Sequence, residues 1–168
     1  MPTAAVITVS DGVIAGTRQD TGGPAVIELL EKSGFTVVRR EVVPDERTYL
    51  ENTLMKMCDT AELVVTTGGT GLAPRDVTPE ATLAICDRMV PGLAELMRTE
   101  GLKSTQFAPL SRSACGTRGR SLIINLPGNP KGAVDSLQAI LHLVPHALDL
   151  LAGKTVHKLD DKQIADKL

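Results

Sequence analysis

Short apolar runs alternate along this chain with longer segments whose apolar residues recur every three or four positions. Ala4 to Val9, Thr36 to Val43, Leu63 to Thr67 and Ser121 to Leu126 are rich in Val, Ile, Leu and Thr, which suits strands of a buried parallel sheet. Between them, Val26, Ile27, Leu29 and Leu30 follow Pro24 and stop at Gly34. Leu50, Leu54 and Met57 fall four and three apart, and Val134, Leu137, Leu141 and Val144 share one face. Pro79 starts a helix expected to run to about Met89, and Pro91-Gly92 starts the next. Strand and helix in alternation predict one α/β domain with a mostly parallel sheet over residues 1–153, followed by a charged tail, 154–168.

The third strand breaks into Gly68-Gly69-Thr70-Gly71, and a helix start follows at Thr78-Pro79-Glu80. Glycines remove side chains from the turn, so backbone N–H groups can lie against a bulky anion and positive φ carries no steric cost. Strand, bare loop and helix N-terminus in that order form a phosphate cradle. Thr78 reads as the N-cap and Pro79 as the first helical residue. The loop lacks the Lys-Ser/Thr ending of a P-loop, and Pro74 stands where a dinucleotide fingerprint has its third glycine.

In a parallel α/β sheet, the carboxyl ends of the strands share the edge where ligands bind. That edge collects Ser10-Asp11-Gly12, Pro44-Asp45-Glu46, the glycine turn with Asp76 close behind, and Pro127-Gly128-Asn129-Pro130-Lys131. Acids beside a phosphate cradle either repel the ligand or share a cation with it, and magnesium, which takes one or two carboxylates plus phosphate oxygens, resolves the conflict. Each acid also has a simpler role open to it. Asp45 can cap the helix that follows Pro44, Asp76 can pair with Arg75 or hold its own turn, and Asp11 can hold the Ser-Asp-Gly turn. Likewise, Pro127 to Pro130 can be a plain turn that starts a helix.

Composition narrows the partners. A net charge of −2 lacks the basic surface that a nucleic-acid or anionic-membrane partner requires, and Phe35, Tyr49 and Phe107 are too few aromatics for a base-stacking platform. A bound heterocycle is therefore expected to be gripped by backbone and aliphatic groups. Cys58, Cys86 and Cys115 form no CxxC pair, so a reducing compartment fits. With no basic leader before the apolar run at Ala4 to Val9, a cytoplasmic protein is expected. The densest basic region, Lys103 to Arg120, mixes Ser111 and Ser113 with Arg112, Arg118 and Arg120, which suits a phosphate monoester or polar heterocycle, or a solvated loop. His142 and His146 lack a metalloprotease glutamate and Pro145 lies between them, His157 belongs to the tail, and no histidine stands near Cys115 to activate it.

Five motifs in register, Val43-Pro-Asp-Glu46, Thr67-Gly-Gly-Thr-Gly71, Pro74-Arg-Asp-Val-Thr-Pro-Glu80, Pro109-Leu-Ser-Arg112 and Leu126-Pro-Gly-Asn-Pro130, resemble the MogA/MoaB family of molybdenum-cofactor biosynthesis proteins from about Ala4 to Leu151. The resemblance implies a three-layer α/β/α sandwich that assembles as a homotrimer, and a contact with the molybdenum-inserting protein of the pathway. It implies adenylyl transfer from Mg-ATP to the terminal phosphate of molybdopterin. On this resemblance Asp45 and Asp76 are the catalytic aspartates that organise Mg2+. Gly68, Gly69, Thr70 and Gly71 form the nucleotide loop, with Ser10 and Asp11 beside it. Ser111, Asn125, Gly128, Asn129 and Pro130 lie on the pterin side. Gly101 stands where relatives often have Ser, and Gln106 where proline is common. Two other readings resemble parts of the pattern: a binding-only MoaB-like module, and a CinA-like nucleotide pyrophosphatase, from which Thr70 and Arg75-Asp76 depart.

Overall fold

A computed structural model describes residues 1–154, so nearly all of the expected tail, His157 included, lies outside the described residues. A six-stranded sheet of order β2-β1-β3-β6-β5-β4 forms the middle layer. Its parallel part comprises β1 (Thr3–Val9), β2 (Thr36–Val43), β3 (Leu63–Thr67) and β6 (Ser121–Leu126). The short β4 (Arg88–Met89) and β5 (Cys115–Arg118) run antiparallel at one edge.

Successive strand residues point to opposite faces, and this alternation sorts the core into two layers. Ala4 and Val6 of β1, Leu63 and Val65 of β3, and Leu122 and Ile124 of β6 pack under α2 (Gly22–Lys32), α5 (Pro91–Gly101), α6 (Pro130–Leu141) and α7 (Val144–Leu151). Ala5, Ile7, Val64 and Ile123 face the other way, toward α3 (Arg47–Cys58) and α4 (Thr78–Ile85). The result is the α/β/α sandwich with a mostly parallel sheet.

One expected helix is shorter than its pattern. The α4 helix ends at Ile85 instead of near Met89, because Asp87 N–H donates to the Thr117 carbonyl (2.7 Å) and Val90 N–H to the Cys115 carbonyl (2.8 Å), which draws the intervening residues into β4. The apolar face expected to continue from Val134 to Val144 is likewise divided between α6 and α7.

Topology fixes where a ligand can sit. The connection from β1 through α2 places β2 on one side of β1, and the connection through α3 then crosses to β3 on the other. A crevice opens outside the carboxyl ends of β1 and β3, where the strand order reverses.

Candidate active site

The glycine turn lies in that crevice, and its backbone cannot be built from other residues. Gly68 (φ 103°) and Gly69 (φ 65°) occupy the left-handed region. A Cβ on Gly68 would overlap the Val9 carbonyl, and one on Gly69 would overlap the Thr78 hydroxyl and lie 3.2 Å from Asp45 Oδ1. A Cβ on Gly71 would meet Asp76 Oδ2 at 2.8 Å. The two aspartates thus approach one bend from separate crossover turns. Both line a cavity of about 720 Å³ together with Ser10, the whole Gly68–Gly71 turn and Gly128–Pro130.

Neighbouring residues decide which acid is available. Glu46, not Asp45, caps α3, accepting from the N–H groups of Thr48 (3.0 Å) and Tyr49 (2.6 Å), so Asp45 is released from that duty. Instead, Asp45 Oδ2 accepts from Asp11 N–H (2.8 Å) while Asp45 N–H donates to Asp11 Oδ1 (3.0 Å). Arg75 grips Asp11 with both arms of its guanidinium, Nε to Oδ2 at 2.6 Å and Nη2 to Oδ1 at 3.0 Å. Asp11 therefore braces Asp45, and it is not among the residues that line the cavity. Ser10, which is on the wall, also caps the short α1 (Asp11–Ile14) by accepting from Val13 N–H (3.2 Å).

Electrostatics follow from this arrangement. Burial pushes the Asp45 carboxyl above the usual aspartate range, and the Asp11 and Asp76 charges push the same way, against the backbone hydrogen bond with Asp11. The Arg75 hydrogen bond holds Asp11 below that range. Asp76 accepts from Ala73 N–H through Oδ2 (2.9 Å), so it does hold its own turn, while Arg75 turns to Asp11. Two carboxylates left to share a ligand with one guanidinium already engaged suit a divalent cation, which needs few protein carboxylates when phosphate supplies further oxygens. Among the described residues no group of three or more His, Cys, Asp or Glu is placed to form an all-protein metal cage.

Several other residues serve roles different from those expected. The Thr78 hydroxyl donates to the Gly68 carbonyl (2.9 Å), tying α4 to the turn, and Val77 holds the N-cap position. Gly68 N–H is committed to the Leu126 carbonyl (3.1 Å), so an anion's amide donors come from Gly69 onward. Asn125 lies on the same sheet face as Ile123, fully buried, where its Nδ2 donates to Thr66 Oγ1 (3.1 Å) and Thr82 Oγ1 (2.8 Å). It links β3, β6 and α4 inside the protein and is not among the residues that line either cavity. The basic region is also redirected. Arg112 sends Nε to the Gly71 carbonyl (2.7 Å), Nη2 to the Asp76 carbonyl (2.7 Å) and Nη1 to Glu80, and Arg118 bonds the Ile85 carbonyl (2.7 Å). Arg112 is thus a clamp on the glycine turn and the Asp76 turn. Cys115 is buried, with its thiol pushed up to about 12 by desolvation, and is inert as a nucleophile.

A second cavity of about 390 Å³ adjoins the first through Ser111, Pro127 and Asn129, which line both. Asn129 caps α6, accepting from Gly132 N–H (3.0 Å). Met97 and Gly101 of α5 and Phe107 and Ala108 form apolar wall, Phe107 being an aromatic on it. A Cβ on Gly101 would meet Ala108 Cβ at 2.9 Å, so glycine lets the end of α5 close on the 3-10 turn Ala108–Leu110. Ser104 and Thr105 provide hydroxyls on the same wall.

A larger crevice with paired acids, joined at a shared rim to a smaller apolar-walled cavity, makes this an α/β protein with two adjoining sites at one sheet edge. Residues 5–146 match the family described as probable molybdopterin binding domain, and the chain belongs to that family. It is 44% identical over 163 residues to the molybdopterin adenylyltransferase of Helicobacter pylori strain J99, covering 95% of this chain and 92% of that one. It is 40% identical over 167 residues to the enzyme of the same name from Escherichia coli K12, covering 90% and 86%. Among solved structures, the molybdopterin biosynthesis enzyme MoaB from Thermus thermophilus superposes with a TM-score of 0.86 at 52% identity, covering 91% of this chain and 98% of that one.

Proposed function

We propose that this chain is a molybdopterin adenylyltransferase that uses ATP and Mg2+. The observation that carries the reading is the convergence of Asp45 and Asp76 on the glycine turn of one cavity whose rim opens into a second, apolar-walled one. The relatives named above support the activity.

The larger cavity takes the triphosphate and the smaller takes the pterin, with the molybdopterin phosphate directed toward the shared wall at Ser111 and Asn129. An oxygen of that phosphate attacks the α-phosphorus of ATP, the bond to the β-phosphate oxygen breaks, and pyrophosphate leaves. The attacking group is already an anion, so no side chain has to remove a proton; the barrier is the meeting of two polyanions. Asp45 and Asp76 would hold magnesium, which supplies charge neutralisation for the triphosphate when bound. Arg75 and Asp11 fix Asp45 in place, Arg112 fixes the carbonyls of Gly71 and Asp76, and the amides from Gly69 onward face the phosphates.

Release of pyrophosphate from ATP, dependent on both molybdopterin and magnesium, tests the reading. Tight binding of both ligands with no pyrophosphate would establish instead the binding-only module, a reading that the identity with a MoaB protein keeps in view. A homotrimer in solution and contact with the molybdenum-inserting protein belong to the same proposal. Among the described residues no helix is long and apolar enough to cross a membrane.

A further inference from the structure

The smaller cavity has a single carboxylate among its lining residues, Asp135 of α6. The guanidinium on that wall, Arg98, is engaged elsewhere: its Nη1 donates to the carbonyls of Ser111 (3.3 Å) and Ser113 (3.1 Å). What meets Asp135 is Lys131 Nζ at 2.5 Å and, more weakly, Ser104 Oγ at 3.4 Å, both on Oδ2. The Lys131 partner is one helical turn away, and its side chain is 75% exposed. Such exposed pairs hold their geometry weakly, so better-placed donors from a ligand can replace the ammonium.

An aminopyrimidinone ring supplies such donors. Its ring N3–H and exocyclic 2-amino N–H lie side by side and parallel, spaced to meet the two oxygens of one carboxylate in a charge-assisted, two-pronged contact. Adenine offers an amino donor beside a ring-nitrogen acceptor, which a carboxylate repels. We propose that Asp135 reads the aminopyrimidinone edge of the pterin, so that the smaller cavity admits the pterin and rejects the adenine of the second substrate. This rests on the reading that the smaller cavity holds the pterin. Discrimination then comes from an unfavourable contact with the wrong ring as well as a favourable one with the right ring.

The test uses the full chain, its Asp135→Asn and Asp135→Ala variants, and steady-state adenylyl transfer, with 6-hydroxymethylpterin and the matching lumazine, which carries oxygen in place of the 2-amino group, as competitors. Asp135→Asn is expected to raise the KM for molybdopterin by about 10- to 100-fold, the range for losing hydrogen bonds to a charged group, with kcat within about threefold and the KM for ATP unchanged. Wild-type protein should be inhibited better by the pterin than by the lumazine, and both variants should lose that preference. Asp135 is half-buried on the surface of α6, and unchanged melting of the variants separates a ligand effect from a folding effect. An unaltered KM and an intact pterin preference in the variants would overturn the assignment of Asp135 and leave the proposed activity standing. Wild-type protein that makes no adenylyl product with molybdopterin would overturn the proposed activity alone, and direct binding of the same pterin and lumazine to wild type and variants would then decide Asp135, equal affinities overturning it.

Discussion

The two cavities share Ser111, Pro127 and Asn129, but their walls are made differently. The larger one is largely backbone: glycines held in left-handed geometry, strand ends, and acids braced by a chain of ion pairs and amide bonds. The smaller one is side chain: a methionine, a phenylalanine, hydroxyls and one carboxylate brought from α5, the segment after it, and α6. A triphosphate is recognised by charge and by closely approaching amides, which favours a rigid bare loop. A flat heterocycle is recognised by apolar contact and the pattern of its edge, which favours side chains that can be exchanged one at a time. On the proposed function, chemistry falls to the cavity built of backbone and substrate identity to the cavity built of side chains.

The largest expected effect tests whether that separation holds. Asp45→Asn and Asp76→Asn should each lower kcat by about 100- to 1,000-fold, as when one key electrostatic group is removed, while molybdopterin affinity stays within about twofold. A matching loss of pterin affinity would break the comparison. Next, Arg112→Gln removes the clamp from the loop carbonyls and Glu80, and should weaken ATP binding by about tenfold and lower unfolding free energy by about 2 kcal/mol, read by turnover and by urea titration. Ser111→Ala sharpens the boundary. Its hydroxyl bonds Ser113 Oγ (2.9 Å) on the shared wall, and its loss should weaken pterin binding by about three- to tenfold and ATP binding by less than twofold. Equal losses would place Ser111 on both sides.

The smallest effect concerns stability. Because the folded-state pKa of Asp45 is raised, its contribution is favourable below the ordinary aspartate value and is lost as pH rises through the higher, folded value. At pH 7 the ionised carboxylate is therefore a net cost, and Asp45→Asn should raise Tm by about 1–3 °C. That gain should vanish below about pH 3, where the carboxyl is protonated in both states. A variant that melts lower at pH 7 would show that the brace to Asp11 outweighs the desolvation.

The same division governs what the chain discloses before it folds. The four parallel strands and the helices packed on them are contiguous patterns, and their ends, with Asp45, Asp76 and the glycine turn, were legible for that reason. The antiparallel edge was not: Arg88–Met89 is a two-residue strand that owes its form to bonds with Cys115 and Thr117, far along the chain. Arg75 and Arg112 act through partners that only the fold brings close, 64 residues apart for Arg75 and Asp11, whereas Glu46 caps α3 through N–H groups two and three residues further on. For Asn125, period-two alternation already discloses the face, the one it shares with Ile123, opposite Ile124 and Leu126, while its partners Thr66 and Thr82 are set by the fold.

Glu46 carries one consequence beyond catalysis. Since it alone secures the first turn of α3, the neighbouring position can change without unravelling the helix. On the proposed function, a single altered codon at Asp45 would silence the chemistry and leave a folded chain that still receives the pterin, so in this architecture an ancestral enzyme and a descendant scaffold would stand one step apart.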